Sequence, residues 1–321
     1  MQPEVDPGSV TVGVDVGGTK IAAGVVNASG TLLEEARRDT PATSPPEIVA
    51  AIADVVRMLG ERHHLAGVGV GAAGFVNSDR STVLFAPNLA WRQEDLKSAL
   101  QQRTGLPVVV ENDANAAAWA EFRFGTGRDI SDMILLTVGT GLGGGLVVDN
   151  QLVRGSFGVA GEVGHFRVVP NGHLCGCGNK GCWEQYASGS ALVREARALA
   201  RTRAPQTARL LQLADGVPED VTGLMVTQAA LEGDAAAGEL LDELGTWLGE
   251  GIASLAAVLD PALVVIGGGV SEAGERLLAP ARKAFEQSLT ARGHRPLLRI
   301  DLATLGNEAG IIGAADLVRQ G

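Results

Sequence analysis

A glycine-rich turn between two apolar runs is the feature that most constrains how this chain can fold. Val10 to Val16 is rich in valine, stops at Gly17-Gly18-Thr19, and is followed by the apolar run Ile21 to Val26. This pattern predicts two strands joined by a turn. Glycines at the end of a strand let backbone N–H groups approach a phosphate, and Thr19 and Lys20 add a hydroxyl and a cation. The turn therefore predicts either a plain hairpin or a phosphate site.

Two further turns of the same kind favour the phosphate site. Met133 to Val138 leads into Gly139–Gly145 and then into the apolar Leu146-Val147-Val148, and Leu263 to Ile266 ends in Gly267-Gly268-Gly269. Three such turns in one chain are difficult to explain as hairpins alone. We therefore expect them to form a backbone cradle for one polyanion.

The second turn also fits a dinucleotide fingerprint, Gly139-x-Gly141-x-x-Gly144. That fingerprint has to open a helix, whereas Leu146-Val147-Val148 predicts a strand. A Walker-type G-x-x-x-x-G-K-[ST] segment is missing from the sequence. The cradle is therefore expected to be built from strand–turn–strand units.

Chain length and alternation predict two α/β domains. The chain has 321 residues, more than the roughly 250–300 at which a single core usually stops growing. Helical periodicity at Ile48–Leu59 and a helix from Asp113 alternate with short apolar strands. We place residues 1–112 with 304–321 in a small domain, and residues 113–303 in a large domain.

Charge and composition exclude several classes of partner. The formal net charge is −11, and no Lys/Arg cluster is present to follow a phosphate backbone, so we expect no nucleic acid partner. The N-terminus lacks the basic and apolar regions of a signal peptide, and no stretch is apolar enough to span a membrane. We expect a cytoplasmic protein without a disulfide framework, and a homo-oligomer, either a dimer or a tetramer.

The three cysteines lie together in a metal-binding pattern. Cys175, Cys177 and Cys182 occupy eight positions, and three thiolates with one imidazole make a closed tetrahedral set of the kind that structural zinc takes. From spacing alone, either His165 or His173 completes the set. Four protein ligands leave no open position, so the zinc is expected to be structural and to organise a loop rich in glycine.

Several carboxylates are candidates for work on a hydroxyl group. Glu111-Asn112-Asp113 follows a predicted strand and begins a helix, so Asp113 could be an N-cap. The same place at the end of a strand is where α/β folds bind ligands. Glu162 and Glu184 flank the cysteine loop, where zinc could fix their geometry. We expect loss of zinc to disorder this region before the distant glycine turns.

Taken together, these residues resemble the family of repressors, open-reading-frame proteins and kinases, the ROK family. The resemblance covers nearly the whole chain. Its motifs here are Asp15-Val-Gly-Gly-Thr-Lys20, Pro87-Asn88, Glu111-Asn-Asp113, Gly139-Thr-Gly-Leu-Gly143, Glu162-x-x-His165 and Cys175-Gly-Cys-Gly-x-x-Gly-Cys-Trp-Glu184. The last two are highly specific in this order and spacing.

The resemblance implies an α/β fold of the actin-like ATPase (ribonuclease H-like) type, a bilobal sugar kinase with an interdomain cleft. It assigns the fourth zinc position to His165 and the catalytic base to Asp113, and makes Asp15 the carboxylate that organises Mg²⁺. The residues that it implies for the sugar are Gly74, Asn88, Asn112, Asp113, Glu162, His165 and Glu184. Those implied for ATP are Asp15, Gly17, Gly18, Thr19, Lys20, Gly139, Thr140, Gly141, Gly268 and Gly269.

The expected activity is transfer of the γ-phosphoryl group of ATP to the C6 hydroxyl of glucose. The alternatives are a kinase for another hexose, such as mannose or an N-acetylated hexosamine, a polyphosphate-using kinase, or a non-catalytic sugar sensor of the same family. The repressors of the family carry an N-terminal helix-turn-helix, whereas only about nine residues precede the first predicted strand here. A nicotinamide-dependent oxidoreductase would require a helix after Gly144.

Overall fold

The computed structural model describes residues 9–320, so expectations for residues 1–8 and for Gly321 lie outside the described residues. It contains two compact units. The first comprises Met1–Leu135, Gly145–Gly161 and Ala303–Gly321, and the second comprises Leu136–Gly144 and Glu162–Leu302. This division differs from the domains expected from the sequence at residues 113–135 and 145–161, which belong to the first unit. The helix that begins at Asp113 packs against the C-terminal helix of that unit.

Strands and helices alternate along much of the chain. In chain order the strands of residues 9–320 are β1 (Val10–Val16), β2 (Lys20–Val26), β3 (Leu32–Asp39), β4 (Leu65–Ala72), β5 (Phe75–Val76), β6 (Val83–Phe85), β7 (Arg92–Glu94), β8 (Val108–Asn112), β9 (Met133–Val138), β10 (Leu142–Val148), β11 (Gln151–Leu152), β12 (Leu263–Gly267) and β13 (Arg299–Leu302). The α-helices are α1 (Pro45–Gly60), α2 (Leu96–Thr104), α3 (Asp113–Phe124), α4 (Gly189–Arg201), α5 (Ala208–Leu213), α6 (Gly223–Leu231), α7 (Ala235–Leu259), α8 (Glu275–Ser288) and α9 (Ala309–Leu317). Short 3₁₀ turns include Val163–His165 and Trp183–Gln185.

The sheet of the first unit brings three chain segments to one edge. Its strand order is β3-β2-β1-β4-β8, with β1 antiparallel to β2 and parallel to β4. The register pairs Asp15 with Gly71, and Gly71 with Glu111. Because β1, β4 and β8 are parallel, their carboxyl ends meet at the same edge, next to the start of α3. That edge positions Asp15 and Asp113.

Helix α9 lies directly against the backbone of this sheet. A Cβ on Gly13 would overlap the carbonyl oxygen of Ile311, and one on Gly69 would overlap that of Ala314. The hydroxyl of Thr11 donates to the carbonyl of Ala315 at 2.7 Å. Only glycine allows this close approach, because any side chain would push the helix away from β1 and β4.

The second unit is organised around the long helix α7, which packs against α8. Asp234 caps α7 by accepting the N–H of Ala237 at 2.8 Å. Trp183, which follows the cysteine loop, is fully buried and donates from its indole to the carbonyl of Trp247 at 2.9 Å. The cysteine loop is thereby anchored to the apolar core of this unit.

The other five-stranded sheet has the order β11-β10-β9-β12-β13. Strand β10 begins at Leu142, inside the glycine run, so a strand and not a helix follows the turn. This confirms the strand–turn–strand prediction. The helix that a dinucleotide fingerprint requires after its glycine turn is not found at this position, where a strand lies instead. Within residues 9–320, no helix combines the length and apolar character needed to cross a membrane.

Candidate active site and metal centre

Two carboxylates come together at the edge of the first unit's sheet. Asp15 is near the end of β1, and Asp113 is the first residue of α3. Burial, and then the charge of Asp113, raise the pKa of Asp15 to about 7. Burial also raises the pKa of Asp113, against hydrogen bonds from the backbone of Ala114 and from the Asn112 side chain. A pair of crowded carboxylates like this one favours a cation or a proton between them.

Asn112, and not Asp113, caps α3. Its backbone is extended (φ −64°, ψ 144°), and its side-chain oxygen accepts the N–H of Asn115 at 3.0 Å. Its amide nitrogen donates to the carbonyl of Gly74 at 3.1 Å and to the Asp113 carboxylate at 3.1 Å. The suggestion that Asp113 is an N-cap is therefore wrong, because Asp113 already has helical geometry one residue later. Its carboxylate is free of the capping role and is oriented by its neighbour.

The loop that presents Asn88 is held by one guanidinium group. Arg92 stacks over the ring of Phe85 at 4.2 Å from the centroid. One of its nitrogens donates to three backbone carbonyls, those of Ala86 at 2.8 Å, Leu89 at 2.9 Å and Trp91 at 2.6 Å. A Cβ on Gly18 would lie 3.0 Å from the Cβ of Asn88. The predicted sugar-binding loop thus lies against the first glycine turn.

The first glycine turn joins β1 to β2 as the sequence predicts. The N–H of Gly17 donates to the carbonyl of Lys20 at 3.0 Å, which closes the turn. Thr40 supports it by donating from its hydroxyl to the carbonyl of Gly17 at 2.9 Å. Thr19 and Lys20 are exposed. Their hydroxyl and ammonium groups are therefore available to a polyanion.

The other two glycine turns line one cavity of about 610 Å³ in the second unit. Gly139, Thr140 and Gly269 contribute to its wall, together with Gly189 and Ser190 at the start of α4. The N–H of Gly189 donates to the carbonyl of Gly139 at 2.7 Å. Gly268 has φ 86°, and a Cβ there would lie 2.6 Å from the carbonyl oxygen of Val138, so the third turn requires glycine. Two of the three turns therefore line one cavity, and the cradle of three turns for one polyanion stays a prediction.

Sequence reasoning missed the arginines of this cavity. Arg194, Arg197 and Arg201 on α4 line its wall with Thr222 and Leu224. Arg194 donates to the carbonyl of Gln185 at 2.8 Å, and Arg197 donates to that of Val221 at 3.0 Å. Their i, i+3, i+7 spacing on one helix face was a signal in the sequence. The sequence could not place that face beside a glycine turn.

Four side chains of the second unit form a candidate metal centre. One ligand atom from each of His165, Cys175, Cys177 and Cys182 lies within 4.8 Å of the others. The Cys177 and Cys182 sulfurs are 3.6 Å apart, and the Cys175 sulfur is 3.6 Å from Nδ1 of His165. Tetrahedral zinc with Zn–S near 2.3 Å and Zn–N near 2.0–2.1 Å requires about 3.8 Å and 3.6 Å for these pairs. The donor set and its spacing fit zinc.

His173 is not part of this group. Its backbone N–H donates to the Tyr186 hydroxyl at 3.0 Å, and its ring packs against that of Tyr186 with centroids 5.3 Å apart. The choice left open by spacing alone is therefore resolved in favour of His165. Nε2 of His165 lies 3.9 Å from Oε2 of Glu162.

Glu184 joins the cysteine loop to a glycine turn. One carboxylate oxygen lies 3.7 Å from the Cys175 sulfur, and the other accepts the N–H of Leu142 at 3.1 Å. A Cβ on Gly141 would overlap that second oxygen. The expectation that the glycine turns are distant from the cysteine loop is wrong for Gly139–Gly141, because Glu184 contacts both.

The predicted site residues thus fall into one set in each unit. Those of the first unit are Asp15, Gly17, Gly18, Thr19, Lys20, Gly74, Asn88, Asn112 and Asp113, and those of the second are Gly139, Thr140, Gly141, Glu162, His165, Cys175, Cys177, Cys182, Glu184, Gly268 and Gly269. Each set is assembled by its own unit.

Comparison with known proteins identifies relatives along the whole chain. A glucokinase of Streptomyces coelicolor is 51% identical over 97% of this chain and 98% of its own length. The crystal structure of a ROK family glucokinase from Streptomyces griseus, in complex with glucose and AMPPNP, superposes with a TM-score of 0.89 at 52% identity, covering 97% of this chain and 100% of that one. An inorganic polyphosphate/ATP-glucomannokinase of Arthrobacter is 29% identical, with a TM-score of 0.63 over 97% and 99% of the two chains.

These relatives show the actin-like ATPase type of sugar kinase fold, as expected. The ROK family profile matches residues 11–321. That range contains both sets of site residues and the cysteine loop that carries the most specific motif. The chain therefore belongs to the ROK family.

Proposed function

We propose that this chain is an ATP-dependent glucokinase that transfers the γ-phosphoryl group of ATP to the C6 hydroxyl of glucose. The observation that carries the proposal is the Asp113 carboxylate, which is partly buried at the edge where the parallel strands β1, β4 and β8 end, and is oriented by the Asn112 amide. The Streptomyces relatives at 51–52% identity are glucokinases, and the griseus enzyme binds glucose and an ATP analogue.

Asp113 is assigned the role of general base. Burial raises its pKa, which makes the carboxylate a better proton acceptor than an exposed aspartate. It would take the proton of the C6 hydroxyl while that oxygen attacks the γ-phosphorus and the bond to the β-phosphate oxygen breaks. A positioned base contributes about 10²–10⁴-fold to the rate, and positioning and electrostatics supply most of the remainder.

Hydroxyl-binding groups are assigned to the sugar in each set. The residues assigned to it are Gly74, Asn88, Asn112 and Asp113 in the first unit, and Glu162, His165 and Glu184 in the second. Amide, carboxylate and imidazole groups suit the alternating donors and acceptors of a hexose. Asn112, Asp113 and Glu184 are already fixed by hydrogen bonds, so these three side chains need little further ordering when the sugar binds.

The nucleotide is assigned to the cavity of the second unit and to the first glycine turn. A volume of about 610 Å³ suits a nucleoside, and its wall contains both apolar and cationic groups. The backbone N–H groups of Gly17–Lys20, Gly139–Gly141 and Gly268–Gly269 are assigned to the phosphates. The crowded Asp15 carboxylate fits Mg²⁺, which usually binds one or two carboxylates together with phosphates. Bound Mg²⁺ would offset the negative charge on the transferring group.

The metal centre is assigned one structural zinc per chain. Its four protein ligands leave no position for water or substrate, so zinc would act only by holding the cysteine loop. That loop carries Glu184 and leads to the buried Trp183. Through them, zinc supports both the proposed sugar site and the turn at Gly141.

Purified protein with Mg²⁺-ATP should convert glucose to glucose 6-phosphate, which a dehydrogenase-coupled assay measures. Asp113→Asn should reduce kcat by at least about 10²-fold, because the amide cannot accept the proton. The helix cap on Asn112 is untouched by this change, so the variant should remain folded. Asp79→Asn, at an exposed position of the same unit, is the matched control.

ATP hydrolysis at the same rate with and without sugar would contradict the proposal, and so would full activity of Asp113→Asn. A panel of glucose, mannose and N-acetylated hexosamines, with ATP and polyphosphate as donors, separates the proposed activity from its alternatives.

A further inference from the structure

The buried carboxylate of Glu111 lies immediately before Asn112 and Asp113 and has no part in the mechanism above. Its side chain is 3% exposed and lies between two guanidinium groups, with Arg154 at 2.6 Å and Arg80 at 3.7 Å. It also accepts the N–H of Asn112 and the side-chain amide of Asn115, both at 3.1 Å. A carboxylate that accepts three hydrogen bonds and pairs with a second guanidinium group cannot serve as a base. Its contacts instead point to the neighbours of Asp113.

These contacts fix the chain on both sides of Asp113. Asn112 orients the Asp113 carboxylate through its amide, and Asn115 donates its backbone N–H to the Asn112 side chain. Glu111 holds the backbone of Asn112 and the side chain of Asn115 at the same time. The start of α3 is therefore clamped by one oxygen atom of Glu111, Oε1.

The other oxygen, Oε2, is held by groups from distant parts of the first unit. Arg154 follows β11, and its carbonyl accepts the N–H of Ala160 at 3.0 Å, which closes the loop before Glu162. Arg80 accepts the N–H of Val110 and donates to the carbonyl of Leu317 at 3.0 Å. Burial and the charge of Arg154 lower the pKa of Arg80 to about 10, so the Arg80 guanidinium remains charged near neutral pH. Without Glu111, two partly buried guanidinium groups would face each other.

We propose that Glu111 is a positioning residue, whose carboxylate, anchored by Arg154 and Arg80, holds Asn112 and Asn115 so that Asp113 faces the sugar hydroxyl. The inference rests on the proposed function of Asp113. It predicts that loss of this anchor lowers turnover and weakens sugar binding. Nucleotide binding should be unaffected, because neither the cavity of the second unit nor the turn at Gly17–Lys20 contains any of these residues.

The test compares Glu111→Gln with the double variant Glu111→Gln/Arg154→Gln. The single variant leaves excess buried positive charge, so both its thermal midpoint and its kcat should fall. The double variant removes one charge of each sign and should recover most of the thermal midpoint. Its kcat should remain about 10–100-fold below that of the parent protein, because a misplaced base is costly. KM for glucose should rise, and KM for ATP should stay within roughly twofold.

Two further variants complete the design. Arg154→Lys keeps the charge but loses the planar Nε donor. Its kcat should also fall, in a fold that retains the ion pair with Glu111. Glu35→Gln removes a surface ion pair of similar length, Arg37 to Glu35 at 2.7 Å, and should leave kcat and both KM values unchanged.

Recovery of kcat in parallel with the thermal midpoint would make Glu111 a purely structural residue and overturn the inference. Parent-like kcat and glucose KM in Glu111→Gln would also overturn it. If the parent protein binds glucose but does not phosphorylate it, the proposed function fails, and calorimetry then decides the inference. Weaker glucose binding by the double variant supports positioning of Asn112, and unchanged binding refutes it.

Discussion

Replacing Asp15 with asparagine is expected to stabilise the protein while abolishing phosphoryl transfer. Burial and the charge of Asp113 raise the pKa of Asp15 from 3.8 to about 7 in the folded state. Between about pH 4 and pH 7 the folded protein holds a proton that the unfolded chain has released, so the free energy of unfolding falls as the pH rises. Above pH 7 the full cost of ionising this carboxylate is present. Asparagine keeps the shape and removes the charge.

The size of the effect follows from the pKa difference. A difference of about 3 units corresponds to about 4 kcal/mol at pH 8, an upper value because the Asp15 side chain keeps some exposed surface. At pH 5 most of this cost is absent, so the gain in stability should grow by roughly 2–3 kcal/mol from pH 5 to pH 8. Urea unfolding at both pH values, without nucleotide or Mg²⁺, measures it.

Asp79→Asn, which changes an exposed carboxylate of the same unit, is the matched control. The same Asp15→Asn protein should lose activity, because an amide is a poor ligand for Mg²⁺. A stability gain that is absent at pH 8, or larger at pH 5 than at pH 8, would refute the assignment of a strained, ionised Asp15.

Two further changes test the loops that present the sugar ligands. Arg92→Met should raise KM for glucose by about 10-fold with little change in KM for ATP, because the loop carrying Asn88 loses hydrogen bonds worth about 1.5–3 kcal/mol each. Steady-state kinetics with each substrate varied measures both KM values. An unchanged KM for glucose would exclude a role of Arg92 in holding the sugar-binding loop. Cys177→Ala should lose zinc and weaken both glucose and ATP binding, since Glu184 joins the cysteine loop to the turn at Gly141. His173→Ala, in contrast, should keep one zinc per chain. Metal analysis and calorimetry measure these outcomes, and loss of metal in His173→Ala would contradict the ligand assignment.

The elements with strong local patterns could be predicted from the sequence. The bounds predicted for β1 and β9 match the structure, since each is a run rich in apolar residues that ends at a glycine turn. The three cysteines and His165 were predicted as ligands because short spacing keeps the cysteines together in any fold, and the family motif supplied the histidine.

Features that depend on distant contacts could not be predicted in this way. The sequence left open whether Asp113 caps α3, and the structure places the cap at Asn112, because the end of β8 fixes which residue is extended. The contact of Glu184 with Leu142 crosses 42 residues, and no local pattern indicates it. In the sequence, Arg194 and Arg197 have the pattern of an ordinary polar helix face. Only the structure shows that this face of α4 lines the cavity.

The position of α9 also has a consequence for synthesis of the chain. Thr11 at the start of β1 bonds to Ala315, 304 residues later, and glycines at 13 and 69 leave flat backbone surface that only this helix covers. Folding proceeds from the N-terminus on the ribosome, so the first unit must wait for α9 while residues 162–302 emerge. The second unit can thus complete its fold first, and the earliest strands made are among the last to be covered. Until then, the apolar face of β1 and β4 is the surface of the nascent chain most in need of a chaperone.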